Sequence, residues 1–251
     1  MTQPLAIVLT AAIIVSPGST AVEEASARRG QYLSALRFYA RFAPVYFLEN
    51  SGYDLMNDSA FAGIPNVHLR SVTAGEDEAR GKGYREFRAL DGWYTQEKDP
   101  PQRILKITGR YLYANISALL QECRETSADV LLFDLYRDDR VALTSLFSVS
   151  WEDYGRYIQG LHVHAEDSSG AWIERLVYRG LLGAKTRSFR HEPDIGGISG
   201  SSGRAMRASR VKFSVRQAAR SFNRLFDSRF LYFRGTAFKP VKELIRKQSD
   251  W

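Results

Sequence analysis

The chain predicts an α/β sandwich with a mainly parallel sheet, and three observations point there. Short apolar runs alternate with amphipathic segments at helical spacing, the pattern of strand-helix-strand units. The first run, Leu5 to Val15, is almost continuously apolar, as in a strand covered on both faces. At 251 residues with 44% hydrophobic content, the chain can bury a full core in one large domain, or in a domain with a small appendage.

The elements follow in order. PLAIVLTAAIIV is the first strand, and Pro17 and Gly18 mark a loop after it. It lacks a preceding Lys or Arg and is too short to span a bilayer of about 30 Å, so it reads as a buried strand rather than a leader or a membrane helix. Tyr32, Leu33, Leu36, Tyr39 and Ala40 give Arg28 to Phe42 a helical face, and Pro44 ends that helix before the strand VYFLE. NVHLRSV is a third strand, and a helix is expected from about Tyr84 to Tyr94. Asp99, Pro100 and Pro101 precede the strand ILKIT, and a helix follows over about Asn115 to Glu125. DVLLFDLY and VALTSLFSVS are further strands, and Ser150 is a candidate N-cap for a helix in WEDYGRYIQGL. A helix is expected from Ser168 or Ser169 to Gly180, and another in the tail to about Phe226.

The division expected is 1–203 as the main domain and 204–251 as a basic helical appendage. From Arg204 to Trp251 the chain has 13 Lys or Arg against Asp227, Glu243 and Asp250, a net +10, whereas the whole chain carries +7. Arg216, Arg220 and Arg224 form one helical stripe with Phe213, Phe222 and Phe226 interleaved. Such a helix suits anionic lipid, or a solvated helix that packs its aromatics on the main domain. The single cysteine, Cys123, excludes an internal disulfide and a Cys-based zinc site, and the default compartment is the cytoplasm.

The chemistry concentrates in a few segments. In ILKITGRY an apolar strand runs into Lys106, Thr108, Gly109 and Arg110, two fixed cations with a hydroxyl and a glycine, which suits an oxyanion. RGKGYRE sets Lys82 between two glycines, Gly81 and Gly83, before a helix, where backbone N–H groups and an ammonium could meet a phosphate, or form a solvated basic loop. Glu49, Asn50 and Ser51 end the second strand. An acid beyond a strand's carboxyl end commonly accepts from a ribose or base, although Asn-Ser-Gly also suits a plain turn. Glu166 and Asp167 stand at the mouth of the helix that follows them, as a proton-accepting base or as capping acids. GISGSSG, with Ser199, Ser201 and Ser202 and then Arg204, is a lid over the diphosphate or a linker. His162 and His164 alternate as on a strand face but lack a third metal ligand, and His68 and His191 carry no signal. Neither GxGxxG after the first strand nor a P-loop is present.

In their order, FLENSGYDL, GKGYRE, KITGRY, the strand entering DLYRDDR, EDSSGAWIE and GISGSSG resemble bacterial GT-A-like glycosyltransferases of surface polysaccharide biosynthesis (capsule, exopolysaccharide or lipopolysaccharide), over about residues 5 to 210. The resemblance implies a GT-A-like fold, a nucleotide-diphosphate sugar donor and a glycan or lipid-linked glycan acceptor. It also implies Asp167 as the base of an inverting transfer, with Glu166 as its substitute. Many such enzymes carry an Asp-x-Asp metal motif, and KITGR stands in the comparable place here. No cofactor is therefore expected, Lys82, Lys106 and Arg110 taking the metal's part. The alternative is Mn or Mg on Asp138 and Asp139. A nucleotidyltransferase or other sugar-nucleotide enzyme is the rival enzyme reading, and a non-catalytic RNA- or anionic-lipid-binding protein is the rival of another class. No zinc-finger, RNP or helix-turn-helix pattern supports nucleic acid. The placement expected is cytoplasmic, peripheral on the inner face of the plasma membrane if the tail binds lipid.

Overall fold

The computed structural model describes residues 4–16, 24–72, 78–136, 139–196 and 209–225. The segment GISGSSG, with Ser199, Ser201, Ser202 and Arg204, lies outside them, as do Asp138 and the expected boundary at 203/204.

The elements in chain order are β1 (Leu5–Ala11), α1 (Ala25–Tyr39), β2 (Val45–Glu49), α2 (Ser59–Ala62), β3 (Val67–Ser71), α3 (Lys82–Gln96), β4 (Arg103–Thr108), β5 (Leu112–Tyr113), α4 (Ile116–Glu125), β6 (Val130–Tyr136), β7 (Val141–Ser150), α5 (Trp151–Tyr157), α6 (Ile173–Gly180), β8 (Lys185–Arg187), β9 (Ile195–Gly196) and α7 (Arg210–Leu225). The main sheet has the order β3-β2-β1-β4-β7-β6-β8, and β5 pairs with β9 in a small second sheet. Strands β1 to β4 are mutually parallel, β7 runs antiparallel to both β4 and β6, and β8 is parallel to β6. This is the α/β, Rossmann-like architecture expected, with helices on both faces of a mainly parallel sheet.

Alternation along β1 decides which helices pack where. Ile7, Leu9 and Ala11 face a core closed by Tyr32, Leu33 and Leu36 of α1 and by Ile116, Leu119 and Leu120 of α4. Ala6 and Val8 face the opposite core, closed by Tyr84, Phe87 and Leu90 of α3 and by Ile173 and Val177 of α6. All seven residues of β1 are buried, as its apolar run requires.

Several expectations change. The strand β1 ends at Ala11 rather than near Val15, because the next residues leave the sheet: Ala12 O accepts from the Arg28 guanidinium, and Ile13 N donates to Glu49 Oε1 (3.0 Å). Residues 166–171 form a small antiparallel bridge, Glu166 to Ala171, with Gly170 at φ 77°, so α6 starts only at Ile173. His162 and His164 lie in a 3-10 turn over Leu161–His164, not on a strand, and His162 Nδ1 contacts Asp91 Oδ2 at 2.5 Å. Ser150 caps α5 as expected, its hydroxyl accepting from Asp153 N. Cys123 is buried in α4 and its thiol is pushed up to about 12 by that burial, which makes it a packing residue. Among the described residues no helix is long and apolar enough to cross a membrane.

The tail helix α7 also departs from the expected exposed basic stripe. Arg220 is 1% exposed, its guanidinium forking onto both carboxylate oxygens of Asp134 on β6 (2.6 and 2.7 Å) and onto Glu192 Oε2 (2.9 and 2.7 Å). Gln217 adds a second tie, accepting from Glu192 N and donating to Arg190 O. The middle of the stripe is thus packed on the main sheet, because two buried carboxylates need a planar bidentate cation. Arg220→Ala should cost about 3–5 kcal/mol of stability, the usual loss when one partner of a buried ion pair is removed. Equilibrium urea unfolding measures it; a loss below about 1 kcal/mol, the range of an exposed pair, would return α7 to the solvent.

Candidate functional site

Because β1, β2 and β4 are parallel, their carboxyl ends share one edge of the sheet, where ligands of open α/β sheets bind. Thr10 and Thr108 are register partners at that edge. Lys106, two residues before Thr108, projects to the same face, the one covered by α3. At the start of α3, Lys82 has Arg85 three residues on and Glu86 four residues on as its surface neighbours, so the two flank it on the side of the helix nearest this edge.

Glu86 is the hub of the contact. Its Oε1 accepts from Lys106 Nζ (2.6 Å), from Thr108 Oγ1 (3.3 Å) and, in a short hydrogen bond, from Thr10 Oγ1. Lys106 is 0% exposed, and its ammonium also donates to Thr144 O of β7 (2.6 Å) and Thr108 Oγ1 (3.2 Å). The expectation that Lys106 grips a diphosphate directly is corrected. All three ammonium protons have protein partners, and desolvating a lysine costs several kcal/mol unless it is paired in this way. Lys106 instead positions Glu86.

Cations gather beside this hub. Burial lowers the pKa of Lys82, and Arg110, Arg28 and Arg85 lower it further, opposed by Asp167. Burial likewise lowers Arg28, with Arg110 and Arg85 acting in the same direction. Lys82 thus lies within electrostatic range of Arg28, Arg85 and Arg110, and Arg28 within range of Arg85 and Arg110, an arrangement that is costly in a bare protein and favourable around an anion. Arg28 is placed by Ala12 O, which accepts from its Nε (2.8 Å), and by Tyr32 Oη (3.3 Å). Arg110 Nη1 donates to Gln31 Oε1 of α1 (3.2 Å). Gly109 lets Arg110 turn there: its N–H donates to Thr10 O (3.0 Å), and a Cβ at this position would lie 2.6 Å from the same oxygen.

Of the two candidate bases, Asp167 is the one brought to the edge. Its Oδ2 accepts from Lys82 N (3.2 Å), and its own N–H donates to Arg80 O (3.1 Å). Asp167 thus caps α3 rather than the helix that follows it in sequence. Gly81, at φ 104°, is required for this, since a Cβ there would lie 2.0 Å from Asp167 Oδ2. Lys82 N is consequently occupied by a carboxylate, which corrects the idea of an open phosphate cradle in GKG. Gly83 serves close packing, because a Cβ on it would meet Ile173 Cγ2 of α6 at 2.4 Å. Glu166 is exposed and accepts from Ser168 Oγ (3.0 Å).

Glu49 is likewise corrected. It is 1% exposed, and its two oxygens accept from the backbone N–H groups of Ile13, Ser51 and Tyr53 and from Ser51 Oγ, which leaves no site for a ribose. It braces the loops after β1 and β2. Asn50 Nδ2 donates to Arg85 O (3.0 Å), and Ser51 Oγ accepts from Ile14 N (2.8 Å), so both help hold the same edge. The fallback acid Asp139 is described and Asp138 is not; among the described residues no group of three or more His, Cys, Asp or Glu is arranged to hold a metal ion.

Four residues of the edge carry no expectation from sequence: Arg28, Arg85, Glu86 and Glu174. Arg85 and Glu86 could have been found inside RGKGYRE, as the residues one helical turn beyond Lys82. Arg28 and Glu174 had no local signal, since each reaches the edge only through tertiary packing. Glu174, in the first turn of α6, has its pKa raised by burial and then by Glu86 and Asp167, with Lys106 opposing, and its Oε1 is 3.5 Å from Thr144 Oγ1.

No protein-family model and no curated protein matches the chain. Solved structures similar to it include a CMP:2-keto-3-deoxy-manno-octonic acid synthetase complexed with CTP (11% identity, 89% of this chain and 100% of that one, TM-score 0.46). Others are the 4-diphosphocytidyl-2C-methyl-D-erythritol synthase from Anaerococcus prevotii (8%, 86% and 95%, TM-score 0.43) and mouse xyloside xylosyltransferase 1 in its apo form (11%, 72% and 81%, TM-score 0.38). At such identities and scores, function has to be read from the chain's own residues.

The raised pKa of Glu174 fixes a sign. Its folded value lies above the usual 4.5, so this carboxyl favours folding when protonated, and that contribution is lost as pH rises through the folded value. Glu174→Gln should therefore raise the melting temperature at pH 7 relative to wild type, with the difference shrinking below pH 4.5. Thermal unfolding from pH 4 to 8 checks this; a variant less stable at pH 7 would show Glu174 to be held by a favourable charge partner.

Proposed function

We propose that the chain is a sugar-nucleotide enzyme, and within that class a glycosyltransferase of hexosyltransferase type, moving a sugar from a nucleoside-diphosphate donor to a hydroxyl of a surface glycan or its lipid-linked precursor. The observation that carries the reading is the gathering of cations at the carboxyl edge of a parallel sheet: Lys82 and Arg85 at the start of α3, with Arg85 O held by Asn50 after β2, Arg110 just past β4, and the buried Arg28 on Ala12 O after β1. A diphosphate brings about two negative charges to one place, and such a set offsets them without a divalent metal.

In this reaction Asp167 accepts the proton of the acceptor hydroxyl. The freed oxygen attacks the anomeric carbon, the bond from that carbon to the phosphate oxygen breaks, and its electron pair leaves on the nucleoside diphosphate. Lys82, Arg85 and Arg110 stabilise that departing charge, a contribution realised only as the bond breaks. Asp167 suits the role because it is exposed, accepts one backbone hydrogen bond on Oδ2 among the described residues, and borders the cations. Inversion follows if the attack is direct.

The resemblance of FLENSGYDL, GKGYRE and KITGRY to polysaccharide glycosyltransferases supports the same reading, with the correction that KITGRY contributes Arg110 to the anion and Lys106 to the interior. Cytoplasmic placement, with any membrane contact peripheral, belongs to this proposal. The test is a thermal-shift screen with UDP, GDP and CDP, with and without EDTA. One nucleotide should stabilise the protein equally in both conditions, and Arg110→Met and Lys82→Met should each weaken its binding about tenfold or more, as expected when a charge-assisted contact is lost. Stabilisation only with added manganese, or a shift unchanged in both variants, would defeat it.

A further inference from the structure

We infer that Glu86 is the residue that reads the donor sugar, accepting hydrogen bonds from its hydroxyl or amino groups, and that the donor is a neutral or amino sugar rather than a uronic acid. This rests on the diphosphate reading above and specifies its substrate.

Among the described residues, all three hydrogen bonds to Glu86 fall on one oxygen, Oε1, from Thr10, Lys106 and Thr108. A carboxylate accepts at both oxygens, so this pattern ties down the side chain by one end and leaves the chemistry of Oε2 to what approaches the edge. The side chain is 22% exposed while its partner Lys106 is 0% exposed, so Glu86 is the end of the pair that meets solvent. A carboxylate held by a buried cation and two strand hydroxyls is fixed before any ligand arrives, the condition for selective recognition of polar groups.

Its position relative to the cations gives the assignment. Arg85 is its neighbour and Lys82 lies one turn earlier on α3, so the sign of charge reverses within a single turn of helix. With a diphosphate at Lys82, Arg85 and Arg110, and its sugar end turned toward the sheet, Glu86 is the carboxylate that sugar meets, since it shares the first turns of α3 with Lys82 and Arg85 and holds Thr108, two residues before Arg110. Sugar hydroxyls and an amino group can donate to a carboxylate, whereas a uronate offers no donor at its own carboxylate and adds a like charge. Glu174, which lies within electrostatic range of both Glu86 and Asp167, would add to that repulsion wherever it is ionised.

The experiment measures binding by calorimetry to full-length protein. UDP, GDP and CDP identify the base, and with that base the hexose conjugate is compared with the corresponding hexuronate, such as UDP-glucose with UDP-glucuronate. The hexose conjugate should bind about tenfold or more tighter, the discrimination expected from a fixed polar site. Glu86→Gln should lose most of that preference, the loss falling on the sugar conjugate rather than on the free nucleoside diphosphate. Because that variant strands Lys106, the double variant Glu86→Gln, Lys106→Met is measured beside it, and the wild-type comparison needs no variant. Equal affinities for hexose and hexuronate in the wild type, with the nucleoside diphosphate still bound, overturn this inference alone. If no nucleoside diphosphate binds, the diphosphate reading fails and this inference fails with it.

Discussion

A buried ammonium organises the carboxyl edge of this sheet. Lys106 lies in β4, the central parallel strand, with no exposed surface, and such a charge is tolerated only where its donors are all satisfied. Glu86, Thr144 O and Thr108 satisfy them, and those three come from α3, β7 and β4. The ion pair therefore fixes where α3 begins relative to the sheet. Lys82 and Arg85 share the first turns of α3 with Glu86, so their place at the edge is a consequence of the same contact. It also draws the antiparallel strand β7 against β4 beyond the last parallel pairing.

From that anchor the edge separates its charges. Arg28 and Arg110 arrive from the α1 side, Lys82 and Arg85 from α3, and their mutual repulsion lowers the pKa of Lys82 and Arg28 in addition to burial. Carboxylates lie on the inner side, where Glu174 is raised by burial and by Glu86 and Asp167. Asp167 joins the two regions, accepting from Lys82 N while acting electrostatically on both Lys82 and Glu174. Assembling like charges this way opposes folding, a pattern that recurs at functional sites and in structural ion networks alike.

The parallel part of the fold was legible because β1, β2 and β4 are apolar runs and α1, α3 and α4 carry helical stripes. What was not legible is long-range. Nothing in VALTSLFSVS states that β7 runs antiparallel, since strand direction is set by the return of the chain after Arg140, at φ 52°. The acid pair is visible in the sequence, but the helix it serves is not, because Asp167 caps α3, some 85 positions away in sequence. In KITGRY the sequence does not separate the two cations, whereas the structure does. Alternation in β4 turns Lys106 inward toward Glu86, and only past Gly109 does the chain leave the strand and carry Arg110 to the edge. Glu49 failed for a related reason: an acid at a strand's carboxyl end meets a ribose only if neighbouring loops leave it a lone pair, and here their N–H groups take them all.

The tail shows how formal charge can mislead about where charge acts. Counting from Arg204 to Trp251 gives +10, yet Arg220 is neutralised by Asp134 and Glu192 in the interior, and Arg216 lies 3.8 Å from Glu192. Desolvated charges in a paired network contribute little to the field outside the protein. Arg220 is therefore the point at which α7 docks on β6 and the 189–192 segment, held by bidentate geometry that lysine could not reproduce, while Arg216 stays exposed beside it. Attraction of α7 to an anionic surface would rest on its exposed cations, such as Arg210, Lys212 and Arg216, and not on Arg220, whose charge is paired inside the protein.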